Sequence, residues 1–203
     1  MLRKQNYGNS LAFGVGDFGI GKYKSRVNGV QTKEYKLWGA MLQRCYSVVE
    51  IEKHNTYIGC EVSENFKNFQ YFAEWCQHQV GFNVEGYQLD KDILIKLNKL
   101  YSEDNCVFVP KELNKFLTKR NACRGDYPIG VSFHKHSGKF MSGLNKNTKR
   151  VVNLGYFNTV EEAFQSYKSA KESYAKELAA QYDGKVDARV IEALNNYTVD
   201  RGD

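Results

Sequence analysis

The sequence predicts an α+β fold: a helical N-terminal region, a ββα unit, and a three-stranded antiparallel sheet backed by one long helix. Three observations support this fold class. Apolar residues recur at helical spacing in the first half of the chain, two strand patterns precede a helix pattern at 86–120, and three more strand patterns precede a long amphipathic segment. With 42% hydrophobic and 14% aromatic residues among 203, the chain can bury real cores.

Residues 1–30 form a basic segment rich in Gly, Asn and Lys that lacks helical periodicity. A flexible arm and a short hairpin both fit this composition. Its G-x-G pattern is not followed by a strand, a helix and an acidic partner, so the pattern does not predict a nucleotide-binding loop.

Two amphipathic helices are predicted next, from Glu34 to Tyr46 and around 65–79. We expect their apolar stripes to be core; the alternative is a partner-binding face, and dimerisation through it would suit a DNA target with two half-sites. The stripes are Tyr35, Trp38, Met41/Leu42 and Cys45/Tyr46 in the first helix, and Phe66, Phe69, Phe72/Ala73 and Cys76 in the second.

The segment 86–120 changes in character and predicts a ββα unit. "YQLDKDILI" is typical of a strand, "KLNKLYSED" of a turn and "NCVFV" of a second strand. "PKELNKFLTKR" predicts a helix with Pro110 in its first turn.

After the Gly-containing joint "CRGDYP", three short strands are predicted at "IGVSFHK", "KFMSGLN" and "VVNLGYF". A long helix follows, opened by a capping box of Thr159 and Glu162. Its apolar stripe, which would cover one face of the sheet, is Ala163/Phe164, Tyr167, Ala170, Tyr174 and Leu178. Residues 183–203 predict a short helix and a loose end.

The charge of the chain predicts an anionic partner, because the net charge is +6 and the pI is about 8.9. Ten Lys or Arg residues lie between Lys111 and Arg150, against two acids, Glu112 and Asp126. A solvated basic face is the alternative to nucleic-acid binding. No apolar run reaches membrane length, and the N-terminus lacks the apolar core of a signal peptide, so we expect a cytoplasmic protein without a membrane partner.

Alternation along the predicted sheet suggests how it would meet DNA. Val131 and Phe133 can face the helix while Ser132, His134 and His136 face outward; on the second strand the facing set depends on register. Small, amide, imidazole and guanidinium groups bond base edges in a major groove, while lysines in the turns bind phosphates. His134 and His136 could also be a metal pair, but no third ligand is evident.

The five cysteines are odd in number and contain no C-x-x-C pair. They predict neither a disulfide framework nor a zinc site, and we expect buried thiols.

The segment "YPIGVSFHKHSGKFMSGLNKNTKRVVNLGYFNTVEEAFQSYKSAKESYAKEL" resembles the APETALA/ethylene-response-type DNA-binding domain. This resemblance implies a three-stranded sheet laid into the major groove of double-stranded DNA. It assigns a domain to 125–182. The DNA-contacting set predicted from the resemblance and the turn lysines is Ser132, His134, Lys135, Lys139, Phe140, Asn145, Lys149, Arg150 and Asn153.

Upstream, "LDKDILIKLNKLYSEDNCVFVPKELNKFL" resembles the HNH nuclease unit of phage and mobile-element homing endonucleases. "YKLWGAMLQRCYS" and "NTYIGCEVSENFKNFQYFAEW" are similar to the region that precedes it in phage proteins, which assigns a domain to 31–120 and places the protein in a bacterial host cell. The resemblance implies Asp90 and Asn114 as ligands of Mg²⁺, Asn105 as the orienting residue and Lys91 at the position of the catalytic base.

Two residues depart from the HNH pattern. A lysine with an ordinary pKa near 10.4 is protonated at neutral pH and cannot accept a proton, so Lys91 is a poor general base. Leu97 stands where glycine is usual. His54 or His78 could supply a base from another segment, although we expect neither to do so.

Two functions follow from these observations. The first is a sequence-specific DNA-binding repressor or regulator with a degenerate nuclease site, which needs no cofactor. The second is a Mg²⁺-dependent HNH endonuclease or nickase. RNA binding is a more distant third, because the sheet lacks paired exposed aromatics for stacking bases.

Overall fold

The computed structural model describes residues 11–117, 126–146 and 150–202. These residues form a mixture of helices and strands, which confirms the predicted α+β class. The chain divides into two compact units: a first unit of 1–85 with 89–108, and a second unit of 86–88 with 109–203. The domain limits suggested by resemblance stay predictions, but the helix that follows Pro110 belongs to the same unit as the three-stranded sheet.

Four helices and a 3₁₀ turn are described in the first unit. They are α1 Lys33–Tyr46, α2 Val48–Lys53, the 3₁₀ turn Asn55–Tyr57, α3 Glu64–Lys67 and α4 Phe69–Gln77. The first helix agrees with the prediction, but the single helix expected around 65–79 is wrong. The chain is extended at Asn68, whose side-chain oxygen accepts a hydrogen bond from Tyr71 N at 3.0 Å and starts a new helix.

The aromatic stripes of these helices are the core of the first unit. Trp38, Phe66, Phe69 and Phe72 are fully buried, and Trp38 Nε1 donates to Phe66 O at 2.8 Å. The alternative of a partner-binding face is therefore wrong for these side chains.

The segment before α1 contains the hairpin that was one of the two alternatives. Its strands are β1 Arg26–Val27 and β2 Val30–Gln31. Upstream of it the chain is packed rather than loose, because the ring of Phe18 stacks on Phe69 with centroids 4.8 Å apart. Asp17 also exchanges backbone hydrogen bonds with the junction of α3 and α4. Residues 1–10 lie outside the described part.

The ββα pattern is present in shorter form. Its elements are β4 Tyr87–Asp90, which pairs with β6 Val107–Pro110, and α5 Lys111–Leu117. The predicted first strand ends early, because the Asp90 carboxylate turns the chain after it. Pro110 ends β6 instead of opening the helix, and 118–120 lie outside the described residues.

One pairing was not predicted. Within the segment expected to be a turn, β5 Leu100–Tyr101 runs parallel to β3 Glu61–Val62. This pairing ties the loop after β4 to the helical region of the first unit.

The second unit contains the predicted sheet and helix. Strands β7 Val131–His134, β8 Lys139–Leu144 and β9 Val152–Phe157 form an antiparallel sheet in that order. Helix α6 Val160–Tyr182 begins with the predicted capping box and packs on this sheet, and α7 Ala188–Asn195 packs on α6. None of the helices described is long and apolar enough to cross a membrane.

The cysteines agree with the expectation of buried thiols. Cys45, Cys60, Cys76 and Cys106 are buried and free, and Cys123 lies outside the described residues. Burial raises the pKa of the Cys45 thiol to about 12, so this thiol is unreactive at neutral pH.

Candidate nucleic-acid interface

The strand register determines which side chains of the sheet face α6. Phe133 pairs with Phe140, and Phe140 pairs with Phe157; one step along, Val131 pairs with Ser142. Cross-strand partners share a face, and both Ser142 and Leu144 are fully buried. This helix face consists of Val131, Phe133, Phe140, Ser142, Leu144 and Phe157.

The opposite side of the sheet, here the outer face, presents a different set of side chains. Ser132 pairs with Met141, which pairs with Tyr156, and His134 pairs with Lys139. The set is completed by Asn153, which pairs with Gly143. The outer face is therefore Ser132, His134, Lys139, Met141, Asn153 and Tyr156.

Tyr156 is the functional candidate that the sequence reasoning missed. Its side chain is 44% exposed, and its ring meets the His134 imidazole edge to face with centroids 5.0 Å apart. His134 Nδ1 lies 2.9 Å from Ser137 Oγ, within hydrogen-bond distance. Counting every second residue from Asn153 misses Tyr156. The strand register shifts between Ser142 and Gly143, and this shift brings Tyr156 to the same face as Asn153.

Phe140 lies on the opposite face of the sheet from the one that the resemblance predicts. The resemblance placed it among the DNA-contacting residues, but it lies on the helix face. Its ring centroid is 5.4 Å from those of Tyr127 and Phe133. Phe140 therefore stabilises the sheet and does not belong to the outer face.

The remaining predicted residues surround the outer face in sequence. Lys135 and His136 are exposed in the β7–β8 turn, Asn145 is exposed just after β8, and Arg150 is exposed before β9. Lys149 lies outside the described residues. Asn153 Oδ1 accepts a hydrogen bond from Gly155 N at 2.9 Å, and the side chain of Asn153 is exposed.

The segment that forms this sheet carries charged side chains of one sign only. No Asp or Glu occurs between Asp126 and Glu161, a stretch that contains Lys135, Lys139 and Arg150. A basic segment that contributes no acidic side chain favours a polyanionic partner. A metal at His134 and His136 gains no support, since no group of three His, Cys, Asp or Glu ligands occurs in the described part of the chain.

The nuclease-like residues lie in a different setting. Asp90 is buried at the end of β4, and its Oδ1 accepts hydrogen bonds from Asp92 N at 2.9 Å and Ile93 N at 2.7 Å. Burial raises the pKa of this carboxyl group, and the two backbone N–H groups oppose that effect. Asp90 therefore acts as the cap of the turn that follows it.

Lys91 forms a cross-link within the same turn. Its side chain is almost fully buried, and Nζ donates to Asp92 Oδ1 at 2.7 Å, Asp92 Oδ2 at 2.8 Å and Asn98 O at 2.6 Å. An ammonium group has only donors. A group engaged in this way with a carboxylate and a carbonyl cannot take a proton from water.

Asn105 and Asn98 complete this polar network. Asn98 Nδ2 donates to Lys91 O at 2.8 Å and to Leu100 O at 2.7 Å, and Asn105 Nδ2 lies 3.4 Å from Asn98 Oδ1. Asn105 thus orients the loop itself. Leu97, where the resemblance expects glycine, has a φ of 63° and is exposed, so the backbone keeps the left-handed conformation without the glycine.

Asn114 lies on α5, and its Nδ2 donates to Gln88 Oε1 at 2.9 Å. It belongs to the second unit, whereas Asp90, Lys91 and Asn105 belong to the first. His54 and His78 each lie within 4 Å of a glutamate four residues earlier in the chain, at 3.6 and 3.8 Å.

Comparisons with protein-family models, with curated proteins and with solved structures give no match to this chain.

Proposed function

We propose that this chain is a sequence-specific double-stranded DNA-binding protein that acts as a repressor or regulator and does not cut DNA. The observation that carries the proposal is the outer face of the β7–β9 sheet. It combines Ser132, His134, Asn153 and Tyr156 with Lys139 in a segment free of acidic residues.

These side chains provide the two kinds of contact that a specific complex needs. Hydroxyl, imidazole and amide groups can bond the edges of bases in the major groove, and Met141 can contact a thymine methyl group. Lysines at the start of β8 and in the turn before it, Lys139 and Lys135, can bind phosphates and fix the orientation of the sheet on the duplex.

The alternative of a Mg²⁺-dependent HNH nuclease lacks a proton acceptor at the expected position. Lys91 Nζ already donates to three acceptors, and Asp90 Oδ1 accepts from two backbone groups. Loss of a general base lowers a rate by roughly 10²–10⁴. We therefore assign the upstream unit a supporting role and no cleavage.

The binding half of the proposal is tested by selecting a preferred site from a random pool of duplexes. Affinity for that site and for a scrambled duplex is then compared across variants. Lys139→Ala should weaken both and lower the salt slope by about 1, whereas Arg150→Ala, Asn153→Ala and Tyr156→Ala should mainly weaken the selected site.

The matched control is Lys176→Ala, which removes the same charge from an exposed position of α6. It should leave both affinities unchanged. If the sheet variants and the control lose the same amount of affinity, or if no preferred site can be selected, base recognition by the outer face is refuted.

The absence of cleavage is tested with supercoiled DNA that carries the selected site. The protein is incubated with Mg²⁺ or Mn²⁺ beside Asp90→Ala and Asn114→Ala. We expect binding without nicked product. Nicking that both substitutions abolish would make the protein an endonuclease.

A further inference from the structure

The hairpin of β1 and β2 belongs to the first unit and is exposed at its tip. Asn28 and Gly29 connect the strands with φ values of 50° and 79°, the positive values that a tight two-residue hairpin turn requires. Val27 pairs with Val30, and the two side chains are 54% and 64% exposed on one side of the ribbon. Arg26 pairs with Gln31 on the other side.

The charge of this segment has one sign. Residues 18–33 contain Lys22, Lys24, Arg26 and Lys33 and no Asp or Glu. Lys22 pairs with Glu74 at 2.8 Å. Lys24 and Arg26 are exposed and form no ion pair with any residue that the structure describes. The ribbon therefore carries positive charge that the first unit leaves unbalanced.

The base of the hairpin is fixed by hydrogen bonds. Tyr23 N donates to Gln70 Oε1 and Gln70 Nε2 donates to Tyr23 O, both at 2.9 Å, and the Tyr23 hydroxyl donates to Glu74. On the other side, Thr32 Oγ1 donates to Lys24 O at 2.9 Å. A partner therefore meets a ribbon that is already ordered, and little conformational entropy is lost on binding.

We infer that this hairpin is a second contact with double-stranded DNA, in which the ribbon tip enters a major groove while Lys24 and Arg26 bind phosphates. A major groove about 12 Å wide admits a two-stranded ribbon. The exposed Val27 and Val30 would contact thymine methyl groups, which explains apolar side chains at the tip of a basic ribbon. The inference shares its partner with the proposed function but depends on different residues in a different unit.

The test measures binding of the full chain to a random-sequence duplex and to the selected site over a range of salt concentrations. Lys24→Ala combined with Arg26→Ala removes two phosphate contacts, so the slope of log K against log salt should fall by about 2 on both duplexes. Val27→Ser combined with Val30→Ser should leave the slope unchanged and weaken the selected site. The control is Lys53→Ala combined with Lys176→Ala, two exposed helical lysines, which should change neither quantity.

Hydroxyl-radical footprinting gives a second readout, because both hairpin variants should lose protection that the control retains. An unchanged slope and footprint in the hairpin variants, with binding lost in Lys139→Ala, would overturn this inference and leave the sheet proposal standing. A lower slope and a lost footprint in the hairpin variants, with binding retained in Lys139→Ala, would support the hairpin contact and refute the sheet proposal. Absence of DNA binding by the unaltered chain would overturn both. Circular dichroism of each variant confirms folding.

Discussion

Lys171 provides a quantitative test of packing in the second unit. This lysine of α6 is 8% exposed, and its Nζ donates to Phe116 O at 2.7 Å, near the end of α5. The ammonium also lies 3.7 Å from the centroid of the Phe116 ring. It holds the helix that carries Asn114 against the helix that supports the sheet.

Burial lowers the pKa of Lys171 to about 8 from its usual 10.5. Between these two values the unfolded chain binds a proton that the folded chain has lost, so stability rises with pH across this window. At about 1.4 kcal/mol for each pH unit, the full interval corresponds to about 3 kcal/mol. Between about pH 7 and about pH 10, the contribution of Lys171 to the free energy of unfolding should rise by roughly 2–3 kcal/mol.

The perturbation is Lys171→Met, which keeps the length of the side chain and removes the titrating group. Loss of the hydrogen bond to Phe116 O offsets the stability of the variant by a constant amount. This offset cancels because only the change in stability with pH is compared between the two proteins. Urea unfolding followed by far-ultraviolet circular dichroism should show a rise with pH in the unaltered chain relative to the variant. Trp38 and Trp75, the only tryptophans in the sequence, lie in the first unit, so their fluorescence follows the unfolding of that unit.

Parallel pH profiles for the two proteins would refute this reasoning, because they would mean that the Lys171 ammonium is not desolvated in the folded chain. The reasoning would also be refuted if the free energy of unfolding of the unaltered chain fell with rising pH relative to that of the variant. It would mean that contacts with Phe116 outweigh burial and raise the pKa.

Three further predictions concern the same unit. Gly130→Ala should destabilise the chain by about 3 kcal/mol in thermal unfolding, because φ is 79° there and an added Cβ would lie 2.0 Å from the Tyr167 ring. Phe140→Ala should lower the free energy of unfolding by roughly 2 kcal/mol without changing the preference for the selected DNA site. Tyr156→Ala should instead weaken that preference and leave the free energy of unfolding nearly unchanged. Thr159→Ala should cost about 1 kcal/mol, because it removes the N-cap of α6.

Each of these predictions has a contrary outcome. A Gly130→Ala protein as stable as the original would mean that the Tyr167 ring moves aside freely. A loss of DNA specificity in folded Phe140→Ala would return that residue to the interface. For Thr159, replacement by Ser should retain most of the stability, and equal losses for Ser and Ala would remove the cap as the cause.

Local signals in the sequence predicted the helices and strands of the second unit well. The pattern of Thr159 and Glu162 specifies the start of α6 by hydrogen bonds within four residues, so it needs no tertiary information. The same holds for the hairpin turn at Asn28 and Gly29, although composition alone also allowed a loose arm. The capping preference of Asn68 was present in the sequence too, but the aromatic periodicity ran through it and favoured one helix.

Features that depend on distant partners could not be predicted. The pairing of β3 with β5 joins Glu61 to Leu100, and no local pattern identifies either strand as a partner of the other. The facing of Phe140 depends on the phase of alternation, which register decides, and the shift after Ser142 then displaced Tyr156 from the expected series. For Lys91, the residue type indicated a poor base, but only the geometry reveals its acceptors.

The engagement of Lys91 limits how cleavage could be engineered into this chain. A histidine at position 91 would supply an imidazole but would delete the bonds from Nζ to Asp92 and Asn98, which hold the loop beside Asp90. The same exchange would therefore add a reactive group and loosen the loop that has to position it. A designer would need to rebuild the loop first, for instance around Asn98, and install the histidine second. In this fold, a stable loop beside Asp90 is therefore a precondition for any catalytic residue at position 91.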